Sequence, residues 1–284
     1  MSNSIYPCIC FDNNAKEAAD FYISVFPNAK VKEENKLVVM LEMSGQDLML
    51  LNAGPHFKPN PSVSFMVLCS SESEVEELWS KLIEGGNSLM AMDVYPWSKK
   101  YGWVADQFGA SWQLYFGEPN GSKEKFVPTL MFTGFNNGKA EEAMHFYTSV
   151  FPNSEIQGVS QYEANSGDTE GNVQHAQFDI DGYTLMCMDS SYDHGFNFTE
   201  GISLVKSCKN QEEIDYYWNK LTEKGGQESM CGWLKDQYSF NWQIVPENIS
   251  KLLSNPETSP KVMEKVMKMK KLNIEEMEAA AKGH

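Results

Sequence analysis

Phe21-Tyr-Ile-Ser-Val-Phe-Pro-Asn28 returns as Phe146-Tyr-Thr-Ser-Val-Phe-Pro-Asn153, identical at seven of eight positions after a displacement of 125 residues. Chance does not produce such a match, so the 284-residue chain is first of all a duplication. Two further landmarks fix its extent. Trp79-Ser-Lys-Leu-Ile-Glu84 returns as Trp218-Asn-Lys-Leu-Thr-Glu223 at an offset of 139. Gly102-Trp-Val-Ala-Asp-Gln107 with Trp112-Gln113 returns as Gly232-Trp-Leu-Lys-Asp-Gln237 with Trp242-Gln243 at an offset of 130. The drifting offset places 14 additional residues in the second copy, around 158–172, and nine in the first, within 90–100. The copies span 1–117 and 126–247 as two domains, 118–125 with its Pro, Gly and Ser is a linker, and 248–284 is a tail.

Within a copy the periodicity changes in a fixed order. Ile5 to Phe11 is a short apolar run ending at Asp12-Asn13-Asn14, a strand followed by a helix start. Ala18, Phe21, Tyr22 and Val25 then recur at helical spacing, and Phe26-Pro27-Asn28 stops the helix. Apolar runs over 36–43 and 46–51 flank Ser44-Gly45, a hairpin signal. A second round follows, with a strand over 63–69, a helix over 72–84 ended by Gly85-Gly86, and strands over 102–106 and 111–116. Each copy is therefore two βαβββ modules, an α+β pattern. In the tail, Val262, Val266 and Met269 share one face of an amphipathic helical segment, expected to dock on its own domain or across a subunit boundary.

Composition narrows the class of partner. With 42% hydrophobic and 12% aromatic residues the chain can bury a core in each half. Lys plus Arg is 23 against 39 for Asp plus Glu, a formal charge of −16 spread along the chain. A surface of that sign repels phosphate backbones and anionic lipid, so neither nucleic acid nor membrane is an expected partner. The opening MSNSIYPCICF has no basic n-region and no long uncharged apolar run occurs, which points to the cytoplasm. The six cysteines contain no CxxC pair and are read as reduced thiols that pack as small hydrophobes.

Four stretches carry a resemblance. Phe146 to Asn153, Gly225-Gly-Gln-Glu-Ser-Met-Cys-Gly-Trp-Leu-Lys-Asp236, Trp242-Gln-Ile-Val-Pro246 and Val262-Met-Glu-Lys-Val-Met-Lys-Met-Lys-Lys271 are similar to the PhnB-like family. Its members are often labelled 3-demethylubiquinone-9 3-methyltransferase domain proteins, within the glyoxalase and vicinal-oxygen-chelate superfamily. The resemblance spans both copies and the tail, the second copy more closely. It implies tandem glyoxalase-like domains, each with two βαβββ modules whose curved mixed sheet surrounds a cavity and whose helices lie outside. In many enzymes of the superfamily the cavity holds a divalent metal on a His or Gln of the first strand, a His of the strand opening the second module and a Glu of the last. Here the corresponding strands carry no such set. Gln113 and Gln243 stand where Glu is common, and a neutral amide alone does not hold a transition metal. No cofactor is expected, a divalent metal being the alternative. Methyl transfer is disfavoured because Gly85-Gly86 and Gly225-Gly226 follow helices instead of opening them.

The remaining polar positions offer binding or acid–base work. In His175-Ala-Gln-Phe-Asp-Ile-Asp181, alternation puts His175, Gln177 and Asp179 on one strand face. With Gln243 they are expected to face the second-domain cavity, His175 as the catalytic acid or base. The competing expectation is an ordinary surface-strand histidine. Trp233 is expected to line the same cavity, and Glu42, Trp103 and Gln113 are the first-copy counterparts, with Val38 in place of His175. Asp106 and Asp236 suit Asx-type turns, and Cys231, with no histidine beside it, suits packing. The expectation is a protein that binds, and as an enzyme converts, a small polar metabolite without a tightly held metal. The alternatives are a metal-dependent lyase, isomerase or dioxygenase and a non-catalytic sequestration protein. The chain acts as a monomer that mimics a dimer, or as a homodimer.

Overall fold

The computed structural model describes residues 4–117, 122 and 124–282. The linker expected over 118–125 falls largely outside them. Four βαβββ modules follow one another. The first is β1 (Ile5–Phe11), α1 (Ala15–Val25), β2 (Ala29–Glu34), β3 (Val38–Met43) and β4 (Gln46–Asn52). The second is β5 (Val63–Leu68), α2 (Glu72–Leu82), β6 (Asn87–Tyr95), β7 (Ser98–Ala105) and β8 (Ser111–Phe116). The third is β9 (Phe126–Thr133), α3 (Ala140–Val150), β10 (Glu155–Gln161), β11 (Val173–Ile180) and β12 (Tyr183–Ser190). The fourth is β13 (Ile202–Cys208), α4 (Gln211–Thr222), β14 (Gln227–Glu228), β15 (Trp233–Lys235) and β16 (Asn241–Pro246), and the tail carries α5 (Ile249–Ser254), α6 (Ser259–Val266) and α7 (Ile274–Ala281).

The chain divides into two compact units, one holding Pro7–Ile202 and the other Ser4–Tyr6 with residues 203–282. The strands form two curved eight-stranded mixed sheets, ordered β10-β11-β12-β9-β5-β8-β7-β6 and β14-β15-β16-β13-β1-β4-β3-β2. The first of these lies wholly in the first unit. Its centre is the antiparallel pair β5/β9, with Val63 opposite Leu130 and Met66 opposite Val127. That pair joins the second module of one copy to the third module, which belongs to the other copy. Sequence repeat and sheet are thus different levels of organisation.

What the first repeat does hold together is an aromatic core between its own two modules. Trp112 of β8 lies 4.8 Å from Phe26, 5.3 Å from Tyr22 and 5.0 Å from Phe65, centroid to centroid. Asp106 ties the cluster: its buried carboxylate accepts from the Trp112 indole at 2.9 Å, the Tyr22 hydroxyl at 2.9 Å and the amides of Phe108 and Ala110 at 2.8 and 3.2 Å. Burial still pushes its pKa up, because four donors do not fully replace water. Asp236 does the same turn work in the second unit, accepting from Tyr238, Phe240 and Trp242. Both turns match the Asx expectation. The landmark helix FYxSVFPN owes its length to Tyr22 and Val25, which are buried, and to an extended residue at Phe26. Its N-terminus is capped from outside: the Ala15 amide donates to Asn52 Oδ1 of β4, and Ala140 of α3 donates likewise to Asp189 of β12.

The tail departs from expectation at one point. Val262 and Val266 are buried as expected, but the helix ends there. Met269 lies in an irregular strap after that end, and the carbonyls of Met269 and Lys270 accept the amides of Cys231 and Gly232.

Candidate functional site

In the first-unit sheet the helices claim one face. Ala176, Phe178 and Ile180 of β11 are fully buried, and Tyr147 of α3 stacks on Phe178. Strand alternation then turns His175, Gln177 and Asp179 to the opposite, helix-free face. Registers across the sheet carry that face from β11 to β7. Gln177 lies opposite Met186, Met186 beside Thr129, Thr129 opposite Ser64, Met66 beside Gln113 and Gln113 opposite Trp103. Five of the eight expected residues therefore share one face: His175, Gln177, Asp179, Gln113 and Trp103.

The sequence grouped His175 with Gln243, and the structure corrects this. Gln243 is on β16, in the other sheet and in the second unit, whereas His175 is on β11 of the first-unit sheet. The physical reason is the β5/β9 pairing, which seats β11 in the same sheet as β8 and leaves Gln113 as the glutamine on its face. Within the second unit Gln243 donates to Ser203 Oγ at 3.0 Å and lies opposite Trp233. Glu42 of β3 is taken by an ion pair with Lys30 at 2.9 Å.

The helix-free face is filled by its own side chains. Met66, Tyr101, Val127 and Met186 bury one another, and Leu68, Met90, Tyr95, Trp103 and Tyr115 pack around them. Methionines give such a lining adaptability, since they repack without breaking hydrogen bonds. A short polar chain crosses it: the Tyr101 hydroxyl donates to Gln113 Oε1 at 2.7 Å, and Gln113 Nε2 donates to Ser64 Oγ at 2.7 Å. Burial pushes the Tyr101 phenol far up, so this chain is neutral. Gln177 donates to Gln157 of β10. Thr184 donates to Asp179 at 2.8 Å and lies 2.6 Å from Glu124. The Trp103 indole N–H is buried and has no acceptor among the described residues. His175 is half-buried, and burial alone holds its pKa below the usual imidazole range, leaving it neutral at pH 7.

Tyr101 and Ser64 were not singled out from sequence, although a signal existed for the serine. Ser64 and Ser203 are related by the same 139-residue offset as Trp79 and Trp218, and each accepts from the glutamine of the last strand. For Tyr101 the sequence signal was misleading, because its counterpart is Cys231. Burial pushes the Cys69 thiol up to about 12 and also raises Cys231 and Cys187, so these three are not activated.

A divalent metal does not fit these donors. At the positions the superfamily uses, the side chains are neutral Ser64 and Gln113, already bonded to each other and to Tyr101. Among the described residues no three of His, Cys, Asp or Glu converge. A divalent cation needs carboxylate oxygen or neutral imidazole nitrogen donors, which this set lacks. Gly85 and Gly225 sit in left-handed turns just after α2 and α4, at φ 71° and 103°, where helices end and phosphates are not cradled. No helix among the described residues is long and apolar enough to cross a membrane.

Four βαβββ modules in two curved mixed sheets define two tandem domains of the glyoxalase, or vicinal-oxygen-chelate, fold. The solved glyoxalase I from Zea mays has that fold: the likeness covers 86% of this chain and 92% of that one at a TM-score of 0.56 and 10% identity. The chain belongs to the PhnB-like family described as 3-demethylubiquinone-9 3-methyltransferase, which it matches over residues 3–115 and again over 124–245. A putative 3-demethylubiquinone-9 3-methyltransferase, PhnB protein, from Bacillus cereus is 28% identical, over 41% of this chain and 98% of that one, with a TM-score of 0.36. A glyoxalase-related enzyme from Fulvimarina pelagi is 21% identical over 42% of this chain and 94% of its own, with a TM-score of 0.34. No curated protein matches.

Proposed function

We propose that the protein binds a small molecule on the helix-free face of the first-unit sheet, an apolar-bodied compound that presents a hydrogen-bond acceptor to Trp103. One observation carries this: the indole N–H of Trp103 is buried without an acceptor in a wall of Met and Tyr side chains. A buried donor left unpaired costs about 1–3 kcal/mol, which a ligand oxygen recovers on binding. Compared with the sequence expectation, the ligand is more apolar and its place lies where modules of both copies meet. Neutral Tyr101, Gln113 and Ser64 support recognition of an uncharged group, and nothing in the donor set calls for a metal.

His175 extends this reading to chemistry. A neutral imidazole on the same face is able to take a proton from a bound ligand, as a general base must. The described residues give it no carboxylate to orient it, so binding is the primary function and conversion the extension.

The test is a thermal-shift screen of neutral, carbonyl-bearing small molecules against the wild type and Trp103→Phe. A compound that raises the wild-type Tm and leaves the variant's unmoved supports the binding site. If every hit stabilises both proteins equally, Trp103 is not the contact and the proposal fails.

A further inference from the structure

The β6–β7 hairpin carries an aromatic column that the binding reading leaves unused. At its tip Trp97 is 51% exposed and the neighbouring Val94 is 70% exposed. Trp97 stacks on Tyr95, with centroids 5.0 Å apart and planes at 26°. Both rings meet buried Tyr101 edge-on, at 6.0 and 5.5 Å. Tyr101 leads through its hydroxyl to Gln113, and Trp103 follows it on the same face of β7. The column therefore runs from solvent to the unpaired indole N–H.

Two features argue that the column serves a ligand and not the fold. A half-exposed tryptophan held by stacking contributes little burial and keeps a broad apolar face in water. The hairpin also owes its length to the residues that only the first copy has within 90–100. In the fourth module β14 and β15 are two and three residues long, and Cys231 replaces Tyr101. The protein builds the same sheet without the column, so the fold does not require it.

The geometry points to a planar aromatic ligand bearing a carbonyl oxygen, lying along β7 with its ring against Trp97 and Tyr101 and its oxygen on the Trp103 N–H. Residues two apart on a strand are about 7 Å from each other, so a bicyclic ring with one substituent spans Tyr101 to Trp103 and still reaches the Trp97 ring. Stacking selects flat π-systems over saturated rings of the same skeleton. This rests on the binding site proposed above and names its ligand class.

The experiment measures the affinity of 2-acetylnaphthalene and of its saturated counterpart, 2-acetyldecalin, by equilibrium dialysis with the full chain and with Trp97→Ala and Trp103→Phe. Trp97 is exposed and Trp103→Phe conserves shape, so both variants fold, which thermal melts verify. The expected result is roughly tenfold tighter binding of the aromatic ketone, lost in Trp97→Ala, while Trp103→Phe weakens both ketones. Equal affinities, with Trp103→Phe still weakening both, overturn the aromatic column and leave the binding site standing. No binding of either ketone, or binding untouched by Trp103→Phe, overturns both.

Discussion

The second and fourth modules end on the same words, Gly-Trp, Asp-Gln and Trp-Gln, and use them differently. In the second, a Cβ on Gly102 would stand 2.6 Å from the ring of Trp79, so the glycine lets α2 lie against the strand. In the fourth, Gly232 has φ 83° and its Cβ would meet the Ile244 carbonyl and Leu272, so it is kept for a turn and for the tail. Trp79 covers Gly102, whereas Trp218 donates to Glu228 at 2.9 Å. Where the second module extends a long hairpin, the fourth has a short one, and the tail strap accepts the amides of its turn at Cys231 and Gly232. What both retain is the aspartate turn, the serine–glutamine pair and the tryptophan after the glycine; what they change is the hairpin and the residue at Tyr101, which is Cys231 in the fourth module. A duplicated scaffold preserves the interactions that close its core and is free elsewhere.

The strongest way to break that comparison is to remove the shared turn. Asp106→Ala and Asp236→Ala each strand buried donors, and each is expected to cost on the order of 3–4 kcal/mol in urea unfolding. A loss under about 1 kcal/mol at either position would show that the two turns are not equivalent. Next is the tail. Leu272 is fully buried beside Gly232, so Leu272→Ala should cost about 3 kcal/mol while leaving ligand affinity at the first-unit sheet unchanged. Unaltered stability would mean that the strap is not what completes the fourth module.

The smallest effect separates the first and third modules, which carry Val38 and His175 at corresponding places. Burial holds the folded-state pKa of His175 below its unfolded value, so the unfolded chain binds the proton more readily. His175 thus costs nothing at pH 7 and penalises the fold as pH falls below about 6.5, the ordinary value. Between pH 7 and pH 5 the wild type should lose more Tm than His175→Val, by a few degrees at most. Parallel pH profiles would place His175 in water in both states.

Much of the fold was legible because it is local. The boundaries of β1, α1 and β8 follow from apolar spacing and from Pro27, and the repeat itself announced four modules. The additional residues in 90–100 and 158–172 became the long β6–β7 hairpin and the loop before β11. The site was legible as residues and not as a place. Alternation set His175, Gln177 and Asp179 on one face, while Gln113 and Trp103 entered only as counterparts of second-copy residues. That these are one face depends on β5 pairing with β9, which no spacing along either strand encodes. Tyr101 was overlooked for a related reason, since its role comes from Tyr95, Trp97 and Gln113, brought to it by the hairpin.

The sequence alone determined the duplication, the order of strand and helix in each module, and the family. Each of these is written in short-range pattern, where a few residues compete only with water and with their own backbone. The tertiary structure decided which modules share a sheet, why each glycine of the repeated Gly-Trp is needed, where the tail helix stops, and that the helix-free face of the first-unit sheet is Met-rich and holds an unpaired indole. Those outcomes depend on contacts between residues far apart in the chain, whose energies exist only once the strands have met.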